Sequence, residues 1–246
     1  MCGRFSLTAT PDDVKALFGY IDQPNFPARY NIAPTQPIGI VRREHGQRRF
    51  ALVRWGLVPG WVKDPASFTL LINARAESAA QKPSFKVSMR HHRCIVPASG
   101  FYEWCRTPDG KQPFWISPVE GGVIAMAGLW STWSDADGGE IDTGALLTVD
   151  ANDMMAPIHH RMPAILHWQD FETWLNVTDV PVKEAVNLLR PIENDYLQAV
   201  PVSSKVNKVT NDDKSLQEAC EEQPASPQSK KQTAKPKGGR DQLDLF

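Results

Sequence analysis

Short runs of β-branched and aromatic residues, separated by proline and glycine, occupy the chain from about residue 38 to residue 202. Runs of this length between turn-forming residues are typical of β-strands. The predicted strands cover residues 50–55, 94–98, 101–104, 114–116, 123–129, 145–149 and 197–202. Because short strands are many and helices few, we expect an α+β fold in which curved mixed or antiparallel β-sheets form a partly open barrel.

A few helices are predicted around these strands. The clearest begins at Thr10, a favourable N-cap, with Pro11 in the first turn and Gly19 as the stop. Two more are predicted at residues 170–175 and 181–189, the second from its apolar spacing and from Pro191, which ends it. We expect these helices to flank the sheets.

The composition excludes several classes of protein. The formal net charge is -1, so any binding of nucleic acid has to rest on a local basic patch. No apolar run approaches the roughly 20 residues of a membrane span, and the first residues lack the apolar core of a signal peptide. The four cysteines are widely spaced without a C-x-x-C pair, which argues against a zinc site or a disulfide framework. We therefore expect a cytoplasmic protein with free thiols, no metal and no cofactor.

The second residue, Cys2, has two nucleophiles once an aminopeptidase has removed Met1. Its α-amine has a reference pKa of about 7.7–8.0 and its thiol one of about 8.5. The amine adds to an aldehyde to give a Schiff base, and the thiol then closes on the imine carbon to give a five-membered thiazolidine. By itself, a cysteine at this position is a weak signal, because many proteins have a small residue there.

Seven short motifs follow one another in order along the chain. They are MCGR at 1–4, RYNIAP at 29–34, WGLVP at 55–59, NARAE at 73–77, GFYEW at 100–104, IHHRMP at 158–163 and PVS at 201–203. Each is weak alone, but the seven together are specific. With them the chain resembles the SRAP family (SOS-response-associated peptidases, the abasic-site-processing proteins) over about residues 2–215.

The resemblance implies a catalytic role for four residues. Cys2 matches the family's crosslinking nucleophile, and Asn73 matches the asparagine beside it, which orients the amine or the sugar. Glu103 matches the catalytic glutamate, which moves protons as the sugar ring opens and the carbinolamine dehydrates. His159 matches a histidine that acts in sugar opening and in reversal of the crosslink. His160 stands where the family usually has an acid, so the sequence leaves the hydrogen-bond partner and the pKa of His159 open.

The chain is expected to bind single-stranded DNA with little dependence on the base sequence. Cations hold the phosphates of such a strand, and flat or apolar side chains support or wedge its bases. The predicted DNA-contacting residues are Arg4, Asn31, Pro34, Trp55, Trp61, Arg75 and Arg161. Three are arginines beside catalytic motifs, which would converge on one phosphate track. The chain has eight tryptophans, so core packing is the alternative for Trp55.

The composition changes after about residue 219. Residues 221–240 are rich in Gln, Ser, Pro, Lys and Gly and have almost no apolar side chains, which predicts disorder. The last five residues are Gln242, Leu243, Asp244, Leu245 and Phe246. They resemble the peptide with which bacterial polymerases and repair proteins bind the replicative sliding clamp, inserting Leu and Phe into an apolar pocket. We therefore predict a domain at 1–219 and a disordered tail at 220–246 that ends in a clamp-binding peptide at 242–246.

Three functions remain open at this point. The main prediction is a monomeric protein that captures abasic sites in single-stranded DNA as a thiazolidine crosslink to Cys2, protecting the lesion at replication forks. The first alternative is an N-terminal-cysteine hydrolase, a peptidase or glutaminase-type amidohydrolase, in which Cys2 attacks a carbonyl and Asn73 helps to form an oxyanion hole. The second is a non-catalytic single-strand binder, which would tolerate the loss of Cys2.

Overall fold

The structure is a computed structural model that describes residues 2–108 and 110–220. Its strands are β1 (Phe5–Leu7), β2 (Arg29–Ile32), β3 (Pro37–Glu44), β4 (Gln47–Trp55), β5 (Asn73–Arg75), β6 (Arg93–Ala98), β7 (Gly100–Thr107), β8 (Gly110–Pro118), β9 (Ile124–Ser134), β10 (Glu140–Asp150), β11 (Arg161–Pro163) and β12 (Leu197–Pro201). Its α-helices are α1 (Pro11–Phe18), α2 (Ala76–Ala79), α3 (Lys86–His91), α4 (Phe171–Leu175) and α5 (Val182–Ala185). Short 3-10 helices cover Trp168–Asp170, Val186–Leu188, Ser204–Asn207 and Lys214–Gln217.

One sheet closes into a five-stranded mixed barrel, in the order β10-β4-β3-β6-β9. Closure depends on β10, which pairs antiparallel with β9 from Glu140 to Leu146 and parallel with β4 at Thr143 and Gly144. The sequence predicted a partly open barrel, and the structure closes it because this one long strand serves both edges. Further along, β10 also pairs with β5 and β11, which places these two short strands beside the barrel.

The second sheet is antiparallel, with the order β12-β8-β7-β1-β2. Because β1 pairs with β7, the first residues of the chain are held beside that strand. The two sheets share one apolar core, in which the ring of Phe5 from β1 meets Trp55 from β4 edge-on with centroids 5.1 Å apart. The predicted α+β fold built on curved sheets is confirmed.

The helices follow the sequence signals where such signals exist. Thr10 and Asp13 form a capping box at the start of α1, and Gly19 ends it in the left-handed conformation with φ 65°. Helix α4 matches the prediction at 170–175. The helix predicted at 181–189 is shorter, since α5 passes into a 3-10 turn, the tighter form common at helix ends. Helices α2 and α3 were not predicted, because neither has a side-chain cap to mark its start.

The described residues end just beyond the predicted domain boundary. Ala219 bridges to Val202, and the N–H of Cys220 donates to the oxygen of Pro201 at 3.0 Å. Met1 and the predicted tail with its terminal peptide lie outside the described residues, so the boundary at 219 stays a prediction. Within the described ranges, no helix is long and apolar enough to cross a membrane.

Candidate active site at the junction of the two sheets

Cys2 lies three residues before the first residue of β1, and it is fully buried. Its thiol donates to the main-chain oxygen of Arg4 at 3.7 Å, and the same oxygen accepts the N–H of Tyr102 on β7 at 2.9 Å. Burial, with a smaller contribution from the carboxylate of Glu103, raises the pKa of the Cys2 thiol to about 12. The thiol is therefore protonated at neutral pH.

The amide of Asn73 holds the main chain of Cys2. Asn73 opens β5, which pairs with β10, and its Nδ2 donates to the oxygen of Cys2 at 2.8 Å. The Oδ1 of the same amide is buried and has no hydrogen-bond partner in the described part of the chain. An unsatisfied buried acceptor costs about 1–3 kcal/mol, so this oxygen is poised to accept a donor that enters the site.

Glu103 lies on β7 and is 5% exposed. Its carboxylate raises the pKa of both the Cys2 thiol and the His159 imidazole, so its charge acts on both groups. The N–H of Trp104 lies 3.4 Å from its Oε1. A buried carboxylate that acts on a thiol and an imidazole is chemically suited to carry protons between them and a bound substrate.

His159 lies in the turn that precedes β11. The main-chain N–H of Arg161 donates to its Nδ1 at 2.9 Å, and the oxygen of Arg161 lies 3.1 Å from the same nitrogen. The ring stacks on His160 with centroids 4.4 Å apart. Burial lowers the pKa of His159, so the ring is neutral at neutral pH, with Nδ1 as acceptor and the proton on Nε2. One partner that the sequence left open is thus the main chain of Arg161.

These four residues come from segments that are far apart in the sequence. Glu103 belongs to the antiparallel sheet, and Cys2 belongs to the segment that leads into it. Asn73 lies on β5 beside the barrel, and His159 precedes β11. The site therefore exists only when both sheets have assembled. Among the described residues, no group of three or more His, Cys, Asp or Glu is placed to hold a metal ion.

Several of the residues predicted to contact DNA reach the surface. Trp61 is 58% exposed, with the edge of its ring against Phe68. Arg75 is exposed at the end of β5, two residues after Asn73, and no ion pair of the described residues involves it. Pro34 is half-buried. Arg75 is thus an exposed cation close in sequence to Asn73, a candidate site residue.

Arg4 is half-buried and is hydrogen-bonded both to β2 and to the segment of residues 206–212, which lies against β2. Its Nη1 donates to Oδ1 of Asn31 and to the oxygen of Val206, at 2.7 Å each. The carboxylate of Asp212 accepts the main-chain N–H groups of Tyr30 and Asn31, which fixes the same segment at its other end. Sequence reasoning missed this segment, because residues 206–212 lie beyond the last motif.

Asn31, Trp55 and Arg161 lie in the interior, and their contact with DNA stays a prediction. Trp55 is fully buried and donates its indole N–H to the oxygen of Ile72 at 3.0 Å. The amide nitrogen of Asn31, also fully buried, donates to three main-chain oxygens within residues 206–211. The side chains of Trp55 and Asn31 are thus enclosed and hydrogen-bonded within the protein.

Arg161 is 5% exposed, and its guanidinium is occupied by two carboxylates. Its Nη2 donates to Glu77 at 2.8 Å and its Nη1 to Asp150 at 2.5 Å. Sequence reasoning assigned no role to these two acids. Glu77 was visible as the last residue of the NARAE motif, but Asp150 stands outside every motif.

Comparison with known proteins agrees with this architecture. The sequence model of the family described as SOS response associated peptidase (SRAP) matches residues 1–209. The abasic site processing protein YoqW of Bacillus subtilis is 36% identical over 89% of this chain and 100% of its own length. YedK of Escherichia coli, of the same description, is 32% identical over 86% of this chain and 96% of its own. A crystal structure of a protein from Bacteroides thetaiotaomicron superposes with a TM-score of 0.81 at 28% identity, covering 89% of this chain and all of that one.

Proposed function

This chain belongs to the SOS response associated peptidase (SRAP) family, and on that basis we propose that it captures abasic sites in single-stranded DNA by a covalent bond to Cys2. The observation that carries the proposal is the convergence of Cys2, Asn73, Glu103 and His159 from separate segments on one buried site. Relatives named abasic site processing proteins match most of the chain. All four residues come from one chain, so a monomer suffices.

All the atoms that form or break covalent bonds to carbon in the reaction belong to Cys2 and the lesion. Removal of Met1, by an aminopeptidase or by the protein itself, frees the α-amine of Cys2. The amine adds to the aldehyde of the open-chain sugar, and the carbinolamine loses water to form an imine. The thiol sulfur then bonds to the imine carbon while the thiol proton passes to the nitrogen, which completes a thiazolidine. The overall change is aldehyde plus aminothiol to thiazolidine plus water, and the steps are reversible.

Each of the other three residues has a task in this sequence. The unsatisfied Oδ1 of Asn73 is suited to accept a hydrogen bond from the Cys2 amine or from a sugar hydroxyl. Glu103 supplies and recovers the proton that opens the sugar and dehydrates the carbinolamine. His159, neutral at the start, takes a proton in ring opening and returns it when the crosslink reverses.

The protonated thiol favours an order of events in which the amine reacts first. A cysteine peptidase or glutaminase needs a thiolate to attack a carbonyl, so its nucleophile has a lowered pKa. The pKa of Cys2 is instead raised to about 12, and the nearby Glu103 carboxylate acts against ionisation. In thiazolidine formation the thiol enters only after the imine exists and delivers its proton to the nitrogen, so a neutral thiol is adequate. Proteolysis beyond removal of Met1 is therefore disfavoured.

The path of the DNA is proposed from the residues that stay accessible. Arg75 is exposed two residues after Asn73 and forms no ion pair within the described ranges, and Arg4 has one guanidinium nitrogen committed to its anchor. These two cations are proposed to hold phosphates on either side of the lesion. Trp61, on a loop, and Pro34 are proposed to support the flanking bases, in keeping with binding that does not depend on the base sequence.

The terminal peptide, residues 242–246, is proposed to bring the protein to replication forks through the sliding clamp. Tethering of this kind raises the local concentration of the domain at the lesion without any new contact in the site. The test is binding of the full chain to a purified bacterial sliding clamp, with a Leu245→Ala/Phe246→Ala variant as control. Equal binding by the two proteins would reject the role of the peptide.

The central experiment uses single-stranded DNA with one uracil that uracil glycosylase converts into an abasic site. Wild type and Cys2→Ala are incubated with it, and products are resolved by denaturing electrophoresis and intact mass. Cys220→Ala is a matched control, because its thiol is half-buried at the end of the described residues. We expect a heat-stable DNA adduct for wild type and Cys220→Ala but not for Cys2→Ala, with Met1 absent from the mass.

Two further variants separate the steps of the chemistry. Cys2→Ser should still form an imine but a shorter-lived adduct, since an oxazolidine is more labile than a thiazolidine, and equal adduct lifetimes would refute ring closure through sulfur. A chain in which Met1 is retained should not crosslink at all. Processed protein that forms no adduct with abasic DNA would refute the proposed function and direct the search to amide substrates.

A further inference from the structure

We infer that Glu77 is a positioning residue, which through its ion pair with Arg161 holds His159 in the orientation that the covalent reaction requires. The role rests on the proposed function, in which His159 moves protons, and extends it by one residue.

Arg161 is the connecting piece of this arrangement. Its Nη2 donates to the carboxylate of Glu77 at 2.8 Å and to the main-chain oxygen of Thr148 at 2.6 Å, and its Nη1 donates to Asp150 at 2.5 Å. The side chain is 5% exposed, so the guanidinium charge depends on these partners for compensation. Removal of one partner therefore disturbs the position of Arg161 as a whole.

The main chain of Arg161 serves both protonation states of His159. Its N–H, 2.9 Å from Nδ1, suits the neutral ring, in which Nδ1 accepts. Its oxygen, 3.1 Å from the same nitrogen, suits the protonated ring, in which Nδ1 donates. The ring can thus gain and lose a proton without turning, which is what repeated acid and base steps need. A shift of the Arg161 main chain weakens both bonds at once.

Glu77 connects the His159–Arg161 contacts to the part of the site that holds Cys2. It lies in α2, which directly follows β5, and β5 begins with Asn73, whose amide holds Cys2. The pair of Glu77 with Arg161 therefore joins the segment that fixes the nucleophile to the segment that fixes His159.

Asp150 does not make this link. It stands opposite Arg161 in the ladder of β10 and β11, and its side chain is 87% exposed. Its ion pair stays within one pair of strands that main-chain hydrogen bonds already hold together. Of the two acids that pair with Arg161, Glu77 is thus the one that joins the segment of Asn73 to the segment of His159.

The test compares Glu77→Ala and Glu77→Gln with Glu172→Ala. Glu172 is a matched control, since its side chain is 57% exposed against 55% for Glu77 and also pairs with arginines, Arg43 and Arg48, outside the site. Imidazole nitrogen shifts of His159 are measured by NMR across a pH series in the full chain without DNA, with His159→Ala to assign the signal. Crosslinking rates are measured at saturating abasic DNA, and DNA affinity separately.

For Glu77→Ala we expect the His159 signal to move from the Nε2–H form towards a mixture of tautomers. We also expect crosslinking to slow about 10-fold, a part of the roughly 10²–10⁴-fold that a positioned acid–base group contributes. Glu77→Gln, which keeps a neutral hydrogen bond, should retain most of the rate, and Glu172→Ala should change neither quantity. DNA affinity should stay within about 2-fold in all three, since Glu77 itself makes no phosphate contact.

Two outcomes would overturn the role. One is an unchanged His159 signal in Glu77→Ala. The other is slow crosslinking explained by weaker DNA binding alone, which would make Arg161 a phosphate contact. Should Glu77→Ala fail to fold, Glu77→Ser, which also lacks the carboxylate, carries the same two measurements. Wild type that forms no crosslink would refute the proposed function instead, and the NMR measurement, made without DNA, would still decide the positioning.

Discussion

The protonated thiol of Cys2 leads to a prediction about alkylation. Iodoacetamide reacts with thiolates, so its rate follows the ionised fraction of each cysteine. The pKa of Cys2 rises from an ordinary 9.0 to about 12, which lowers the thiolate fraction at pH 8 about 1000-fold, tenfold for each pKa unit. All four cysteines of the chain are free, and Cys105 and Cys220 are half-buried, so they serve as internal references.

The second part of this prediction concerns the cause of the shift. In Glu103→Gln the negative charge that opposes ionisation is lost, so alkylation of Cys2 should become faster. Alkylation of Cys94 should not change. Burial also raises the pKa of that thiol, but Glu103 does not contribute to its shift.

The assay is peptide mapping by mass spectrometry after timed exposure to iodoacetamide between pH 7 and pH 10. We expect Cys2 to be labelled last together with Cys94, and its rate to rise about tenfold per pH unit over this range, because the pKa lies above it. If Cys2 is alkylated at pH 8 as fast as Cys105, its thiol is ionised and exposed. The proposed order, in which the amine reacts before the thiol, would then be unsupported. The alternative function, a cysteine hydrolase, would be favoured.

Four further outcomes follow from the same structure. Glu103→Gln should slow crosslinking by about 10²–10⁴-fold at unchanged DNA affinity, measured by single-turnover electrophoresis, whereas an unaffected rate excludes it as the proton carrier. Arg75→Ala should lower the slope of log affinity against log salt by about 0.7 for single-stranded DNA, and an unchanged slope means that it touches no phosphate. Protonation of the Cys2 α-amine should already slow crosslinking below its pKa of about 7.7–8.0. Because burial lowers the pKa of His159 below its ordinary 6.5, protonation of the ring should add a second, steeper loss below that value, and only this second loss should vanish in His159→Ala. Arg93→Met should reduce the free energy of unfolding by about 3 kcal/mol or more in urea titration, because four main-chain oxygens lose their donor, and a loss under about 1 kcal/mol contradicts this.

Features that depend on neighbouring residues were predictable from the chain alone. The capping box at Thr10 and the glycine stop at Gly19 are set by side chains within one helix, and both stand where predicted. The strands were recognisable for the same reason, because the alternation of apolar and polar residues and the turn-forming residues are patterns of only a few positions. Closure of the barrel was not predictable, because β10 divides its length among β9, β4, β5 and β11, and no local pattern encodes four partners.

Burial also escaped prediction wherever a polar or large side chain has two plausible environments. An arginine beside a candidate site motif can pair with a phosphate or with a carboxylate, and the acids that pair with Arg161 come from α2 and the end of β10. Asn31 is enclosed by residues 206–212, far along the chain, and Trp55 by the packing of two sheets. In each case the deciding neighbour is remote in sequence.

The sequence by itself therefore determined the family and the fold class, because motif order and side-chain chemistry are written along the chain, and it predicted which residues react. Tertiary structure alone decided the environment of those residues. It buries the Cys2 thiol so that it stays protonated, sets Asn73 against the Cys2 main chain, and ties His159 to Arg161. Desolvation and hydrogen-bond geometry arise only when segments remote in sequence come together, so the state of the site follows from the fold.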